Sequence, residues 1–251
     1  MPPPQPIQMI ISTHFRKSIF YTATRERAEG FSLIEMAIVL AILSFLLGGL
    51  LPLLTGQMER QSRHETRKQM EEIKDALTGY AIINGILPCP TTQPDPTNAN
   101  YGMSDATCSA NVAAEGYLPW KTLGVTETDA WGSKRTSTAS PWTGYWRYRV
   151  DRNFTTTITM TTGFCTATND CLSIKDNNGN YLNSTSATAE HPVAIVYSTG
   201  QNITADGQNM SFEPTTGIYQ SDVPNPAFDD MMIWISRPQL FNRMVAASKL
   251  P

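Results

Sequence analysis

The chain has 251 residues, 41% of them hydrophobic, which is enough for one domain of ordinary size together with additional segments. Its formal net charge is −3, so no overall basic field points to nucleic acid as a partner. Of its 19 basic and 22 acidic residues, four basic and two acidic ones lie in the first thirty, so the remainder has a net charge of −5. The chain is therefore basic on one side of its long apolar block and acidic on the other.

That apolar block contains 24 residues, from Phe31 to Leu54. As a helix it would extend roughly 36 Å, against about 30 Å for the core of a bilayer. The basic residues before it predict, by the positive-inside rule, that residues 1–30 lie in the cytoplasm and the bulk of the chain outside. A secretory signal peptide has a shorter apolar region with a small-residue cleavage site after it, which this block lacks. An ordinary signal anchor explains its length and flanking charge equally well.

Glu35 lies inside the apolar block. A carboxylate in a membrane helix costs on the order of 2–3 kcal/mol at mid-bilayer, and less near the end of the helix. Cleavage after Gly30 would create a positively charged amine on Phe31, four residues before Glu35. A staggered amine–carboxylate pair between neighbouring subunits would neutralise both charges and set the axial register. The alternative is a glutamate whose side chain reaches the membrane interface.

The sequence GFSLIE at residues 30–35, followed by a long apolar helix, resembles the N-terminal signal of type IV pilins and type II secretion pseudopilins. The resemblance implies cleavage between Gly30 and Phe31 by prepilin peptidase, and N-methylation of Phe31. Pro52 falls where many pilins carry a proline that loosens the helix.

The same resemblance implies partners and a location. The partners are prepilin peptidase, an inner-membrane assembly platform and other pilin or pseudopilin subunits in a homo- or hetero-filament. The location is the inner membrane, as a single-pass protein with a cytoplasmic leader and a periplasmic C-terminal domain, or the cell exterior within a pilus.

Polar, helix-favouring residues begin at Gln57, and Asn84-Gly85 and Pro88 predict where the helix ends. Apolar residues at three- and four-residue spacing predict one buried face of this helix: Met70, Ile73, Leu77 and Tyr80. The expected fold is α+β and pilin-like, with a long N-terminal helix, half transmembrane and half amphipathic, packed on a small antiparallel sheet. The expected segments are a leader at 1–30, a transmembrane and assembly helix at 31–54, an amphipathic stalk helix at 55–87, and a loop-rich β domain at 88–251.

All four cysteines follow the apolar block, and an even number in a segment expected outside the cytoplasm favours disulfides over metal ligation. A Cys89–Cys108 bridge would close the proline-rich loop after the helix and contribute ~3 kcal/mol. A Cys165–Cys171 bridge would close a much shorter loop and contribute less.

Within the β domain, the aromatic residues between 115 and 150 permit stacking on carbohydrate or single-stranded nucleic acid, but core packing is the stronger expectation. In residues 145–150, alternation places Tyr145, Arg147 and Arg149 on the side opposite Trp146, Tyr148 and Val150. Strands are predicted at 145–150, 154–162, 192–197 and 228–235, with a closing helix in 237–251.

The order of strand, Gly/Asn/Asp-rich loop and Asp-Asp before the last strand resembles the calcium loop of major pseudopilins. The resemblance implies a Ca²⁺ site, because oxygen-only ligands on a loop suit a hard cation of flexible coordination. No EF-hand spacing is present, and the same residue types also form ordinary turns. The candidate ligands are Asp206, Asn209, Asp222, Asp229 and Asp230.

The favoured function is therefore that of a structural filament subunit rather than an enzyme. The sequence contains no P-loop, no G-x-S-x-G and no HExxH, and its three histidines are scattered. Apart from calcium, no cofactor is expected, and nucleic acid is not an expected partner. The alternatives are a pilus-tip adhesin or DNA-binding minor pilin, which the loop-rich domain permits, and a membrane-anchored enzyme.

Overall fold

A computed structural model of the chain describes residues 31–108, 115–162, 171–183, 190–210 and 217–251. The described residues divide into two units, one that ends at Leu50 and one that begins at Leu51. The predicted leader at 1–30, including Gly30, lies outside the described residues. In the described part the fold is α+β, as the sequence predicts, with an N-terminal helix and a small antiparallel sheet.

The described part contains three helices and six strands. The helices are α1 (Leu33–Asn84), α2 (Trp120–Leu123) and α3 (Arg237–Ala246). The strands are β1 (Glu115–Tyr117), β2 (Arg147–Val150), β3 (Ser173–Lys175), β4 (Pro192–Ser198), β5 (Ile218–Gln220) and β6 (Met231–Ser236).

The second half of α1 packs on the domain core through one face. Met70, Ile73 and Leu77 are fully buried, as their helical spacing predicts. Tyr80 is only partly buried, and Ala81 extends the buried row in its place. They belong to the same hydrophobic cluster as Tyr148 and Val150 of β2. The helix ends where the Asn-Gly pair predicts, because Gly85 takes a φ of 73° and its N–H donates to the carbonyl of Ala81.

The main sheet has the strand order β1-β2-β4-β6, and all its pairs are antiparallel. Its interior strand β4 is buried along its whole length, which confirms the prediction of a central strand at 192–197. The final strand β6 and the closing helix α3 also follow the prediction. A second, two-stranded sheet pairs β3 with β5 in parallel.

The prediction of a strand at 154–162 is wrong. Arg152–Thr155 form a 3₁₀ turn instead, and residues 156–162 contain no strand. The threonines bond locally, since the Thr155 hydroxyl donates to the Arg152 carbonyl and the Thr162 hydroxyl accepts from the Thr159 N–H. Such local side-chain bonds compete with the ladder of a sheet and override the β-propensity of threonine.

Arg149 also departs from the simple alternation predicted for β2, because it is completely buried together with Tyr148 and Val150. Its Nη1 atom lies 3.6 Å from a carboxylate oxygen of Glu115, and that same oxygen accepts a 2.6 Å hydrogen bond from the Tyr219 hydroxyl. A buried cation is tolerated where a carboxylate and further hydrogen bonds compensate for its lost hydration. This group of side chains joins the two sheets.

Candidate functional site

Helix α1 begins with a reciprocal pair of hydrogen bonds between Ser32 and Glu35. The Ser32 N–H donates to Glu35 Oε2 at 2.9 Å, and the Glu35 N–H donates to Ser32 Oγ at 3.2 Å. This is a capping box, which satisfies two of the N–H groups that a helix start leaves without partners. Ser32 is not among the residues predicted from the sequence, although Ser-x-x-Glu before an apolar run is the recognised signal for this motif.

The apolar side chains in and around the capping box, and those that follow it, are exposed. Phe31 is 81%, Leu33 91% and Phe45 85% exposed, and nine further large apolar side chains up to Leu47 are between 46% and 69% exposed. Exposed apolar surface of this extent is characteristic of a region that contacts other molecules.

Within the part of the chain that the structure describes, no helix combines the length and the hydropathy needed to cross a membrane.

Pro52 lies within α1, which runs through it without a break in helical assignment. Its predicted role as a loosening point stays a prediction.

The loop after α1 is closed by a disulfide between Cys89 and Cys108, whose Cα atoms lie 5.6 Å apart. Both cysteines are buried in the main hydrophobic cluster, so this bridge fastens the proline-rich loop to the core. Cys171 is also disulfide-bonded, whereas Cys165 lies outside the described residues. The predicted Cys165–Cys171 bridge therefore stays a prediction.

Three of the candidate metal ligands form a cluster at one end of the main sheet. One carboxylate oxygen from each of Asp206, Asp229 and Asp230 lies within 4.8 Å of the others, and we call these three residues the carboxylate cluster. Asp229 and Asp230 immediately precede β6, and Asp206 lies in the loop that leaves β4. Because β4 and β6 are antiparallel, with Ser198 opposite Met231, the end of one strand and the start of the other meet at this edge.

Backbone N–H groups hold the carboxylate cluster together. The Asp229 N–H donates to Asp206 Oδ2 at 2.8 Å, and the Asp206 N–H donates to Asp230 Oδ2 at 3.0 Å. The Asn202 N–H donates to Asp229 Oδ2 at 2.9 Å. Each aspartate is thus oriented by the backbone of its neighbours, and each uses one oxygen for that purpose.

Asp229 and Asp230, the two buried aspartates of the cluster, each have a second carboxylate oxygen that these backbone hydrogen bonds do not use. Asp229 Oδ1 and Asp230 Oδ1 are buried and accept no hydrogen bond from the described part of the chain. Burial raises the pKa of Asp230 to about 7 and also raises the pKa of Asp229. Burying ionised carboxylate oxygens without a partner is costly, so this arrangement favours either a proton or a cation between them.

The carboxylate cluster fits a calcium ion. Oxygen ligands bind Ca²⁺ at about 2.4 Å, so two ligands of one ion can lie up to about 4.8 Å apart. The three carboxylate oxygens lie within 4.8 Å of one another and are therefore close enough to share one ion. Hard carboxylate donors and two unused oxygens match the chemistry of this cation. Asp206, Asp229 and Asp230 are the residues that would hold it.

The other two predicted ligands have different contacts. Asn209 is buried and supports the cluster, because its Nδ2 donates to Asp230 Oδ2 and its Oδ1 accepts from the Gln220 N–H. Asp222 lies outside the group of three and accepts hydrogen bonds from the Asn177 N–H and from Gln220 Nε2. Asn209 therefore orients the Asp230 carboxylate, and Asp222 accepts hydrogen bonds beside β5.

A polar groove gives solvent access to the carboxylate cluster. Its volume is about 760 Å³, and Asp229 forms part of its wall together with Gln201 and Asn202 from the loop after β4. Glu59 and Arg63 of α1 also line the groove and form an ion pair at 2.9 Å. An ion can reach Asp229 through this groove without unfolding the domain.

The start of the chain matches a known family of signals. The family model of the prokaryotic N-terminal methylation motif matches residues 25–51. The chain carries a prepilin-type signal. This signal of type IV pilins and pseudopilins includes the Ser32–Glu35 capping box and much of the exposed apolar surface. Comparison with curated proteins and with solved structures gives no match.

The prepilin-type signal indicates the class of protein. It supports a precursor of the type IV pilin or pseudopilin kind that acts as a structural subunit, assembles with other subunits and is processed by prepilin peptidase. It also indicates a protein that is anchored in a membrane or displayed on a pilus.

Proposed function

We propose that this chain is a filament subunit. The precursor is cleaved between Gly30 and Phe31 and methylated on the new amine of Phe31. The mature chain, anchored by residues 31–54 in the inner membrane with its C-terminal domain in the periplasm, then assembles into a type IV pilus or a type II secretion pseudopilus. The matched methylation motif at residues 25–51 is the observation that carries this proposal.

The geometry of Glu35 supports an assembly role in addition to its capping role. The described hydrogen bond of its carboxylate uses Oε2 only, with the Ser32 N–H as donor. Oε1 can therefore accept the Phe31 amine of an adjoining copy while the helix cap stays intact. In a bundle of apolar helices such a pair would neutralise two charges and fix the register, whereas the exposed apolar side chains would supply cohesion.

The test separates the charge of Glu35 from its capping bond. Glu35→Ala removes both, Glu35→Gln keeps a hydrogen-bond acceptor and loses the charge, and Ser32→Ala keeps the charge and loses one capping bond. We expect leader cleavage in all three, filaments from Ser32→Ala, and no filaments from either Glu35 variant. Cleavage is followed by the mass of the chain, and filaments by electron microscopy of sheared cells.

Glu72→Ala is the matched control, because Glu72 is an exposed acidic residue of the same helix that pairs with Lys68 at 3.7 Å. It should assemble normally. Normal filaments from Glu35→Gln would refute the role of charge in register, and an uncleaved chain in the native host would refute the proposed function as a whole.

We also propose that the carboxylate cluster binds calcium. With CaCl₂ at about a hundred times the dissociation constant, binding would stabilise the folded state by ~2.7 kcal/mol. For a domain of this size we expect the Tm of the full chain in detergent to rise by roughly 5 °C or more relative to EDTA. MgCl₂ should be much less effective, because Mg²⁺ demands a tighter octahedral shell.

Asp230→Asn tests the site, because the amide oxygen can keep the bonds of Oδ2 while the NH₂ group takes the place of the unused Oδ1. We expect this variant to lose the response to calcium. Asp222→Asn changes a carboxylate outside the cluster and should keep the response. A wild-type chain without a calcium-dependent Tm, or an equal loss in both variants, would contradict the assignment.

A further inference from the structure

Asp129 is a buried carboxylate in the turn before Trp131 and Gly132, far from the carboxylate cluster in sequence. Its Oδ1 accepts the Trp131 N–H at 2.9 Å. Its Oδ2 accepts the Ser198 hydroxyl at 2.5 Å. The next residue of the turn, Ala130, donates its N–H to the hydroxyl of Thr66 on α1 at 3.3 Å. Asp129 is thus fixed by a turn that is itself attached to the helix.

Ser198 carries the connection from Asp129 to the loop that follows β4. Ser198 is completely buried at the last position of the strand. Its hydroxyl donates to Asp129, and its oxygen accepts the N–H of Gly200 at 3.0 Å. Because a carboxylate can only accept a hydrogen bond, the hydroxyl proton of Ser198 points to Asp129. The lone pairs of the hydroxyl oxygen then accept the N–H of Gly200.

Gly200 in turn lies directly against Asp229. Its φ is 63°, and a Cβ atom at this position would come within 2.6 Å of Asp229 Cγ and 2.7 Å of Asp229 Oδ1. The turn at Gly200 also directs the following Asn202 N–H to Asp229 Oδ2. The position of Gly200 therefore decides where the unused Oδ1 of Asp229 is placed.

We propose that Asp129 and Ser198 are positioning residues for the cation site: through Gly200 they fix the position of the Asp229 carboxylate in the carboxylate cluster. This inference rests on the proposed calcium binding of that cluster. Asp129 does not touch the ion, and its effect is on the geometry of a ligand. The same contacts connect the site to α1 through Ala130 and Thr66.

The test uses the full chain in detergent with CaCl₂ as ligand. Ser198→Ala removes the hydroxyl between Asp129 and Gly200, and Asp129→Asn keeps the shape of the side chain but presents an NH₂ group where an acceptor is needed. We expect each to raise the dissociation constant for calcium at least tenfold by calorimetry. With Tb³⁺ in place of Ca²⁺, the luminescence lifetimes in H₂O and D₂O should show at least one additional coordinated water, because Asp229 is displaced.

Tyr148→Phe is the control for a general loss of stability, since it removes another buried hydroxyl that donates to the Pro88 carbonyl at 3.0 Å. It should lower Tm to a similar extent and leave calcium affinity within twofold of the wild type. Unchanged affinity and hydration in Ser198→Ala and Asp129→Asn would overturn the positioning role while leaving calcium binding in place. Absence of binding in the wild type would overturn both.

Discussion

At the scale of single residues, the domain keeps several carboxylates in surroundings that disfavour their charge. Burial raises the pKa of Asp129 to about 6 and that of Asp230 to about 7, against 3.8 for an ordinary aspartate. For Asp129 the hydrogen bonds from Ser198 and from the turn only partly offset this effect. Without a cation, the folded chain therefore binds protons more tightly than the unfolded chain does.

The stability of the metal-free chain should depend on pH in a characteristic direction. Because the two pKa values are raised by folding, the free energy of unfolding in EDTA should fall as the pH rises from about 4 to 7. The contribution of Asp129 alone is ~3 kcal/mol, since one pKa unit corresponds to ~1.4 kcal/mol. Asp129→Asn should make the free energy of unfolding depend less on pH between pH 4 and 6, as measured by urea unfolding at each pH.

Asp176→Asn is a suitable control for this measurement. Hydrogen bonds from Asn180 lower the pKa of this exposed carboxyl, so its contribution to stability increases with pH. Removing it should therefore not reduce the fall in the free energy of unfolding between pH 4 and 7. A metal-free chain whose stability increases steadily between pH 4 and 7 would contradict the assignment of protons to the buried aspartates.

At the scale of secondary-structure elements, glycines show where backbone freedom is required and where it is not. Gly79 lies within α1, and a Cβ atom added there would meet nothing within 4 Å. Gly200 lies in the turn after β4 with a φ of 63°, in close contact with Asp229. The same substitution should therefore have opposite effects at the two positions.

Gly79→Ala should stabilise the domain by ~0.5–1 kcal/mol, because alanine restricts the unfolded chain and has the higher helix propensity. Gly200→Ala should destabilise it by more than that and should also weaken calcium binding. Chemical unfolding of both variants, with and without CaCl₂, checks the prediction. A loss of stability in Gly79→Ala would show that this face of α1 is packed against something in the folded protein.

At the scale of the whole molecule, the N-terminal region and the globular domain have different roles. The first carries the prepilin-type signal and exposes its apolar side chains, which suits contact with other molecules. The second buries its apolar residues around β4 and α1 and presents the carboxylate cluster beside an open groove. The functions proposed above therefore place assembly in the N-terminal helix and ion binding in the domain.

Processing at the predicted site has a direct readout. Protein isolated from its host should begin with N-methylated Phe31, and mass spectrometry of its N-terminal peptide should show the added methyl group. The mature chain should also carry a net charge of −5, against −3 for the precursor, because four basic and two acidic residues leave with the leader. An intact leader in filaments would contradict this prediction.

The sequence alone determined the features that depend on neighbouring residues. Local periodicity, short motifs and turn chemistry predict four features of the chain: the signal at residues 30–35, the buried face of α1, the helix end at Asn84 and the interior strand β4. These features depend on interactions between residues only a few positions apart, so the sequence by itself is enough to predict them. Ser32 belongs to the same class, and the Ser-x-x-Glu spacing would have been enough to identify it.

Only the tertiary structure decided which distant side chains meet. Asp206 and Asp229 are brought together because β4 and β6 are antiparallel neighbours, while Asp222, equally plausible from its residue type, has other contacts. Arg149 is buried because Glu115 and Tyr219 compensate its charge across two sheets, which no alternation pattern can indicate. Such pairings depend on strand order and on burial, and both are properties of the folded chain as a whole.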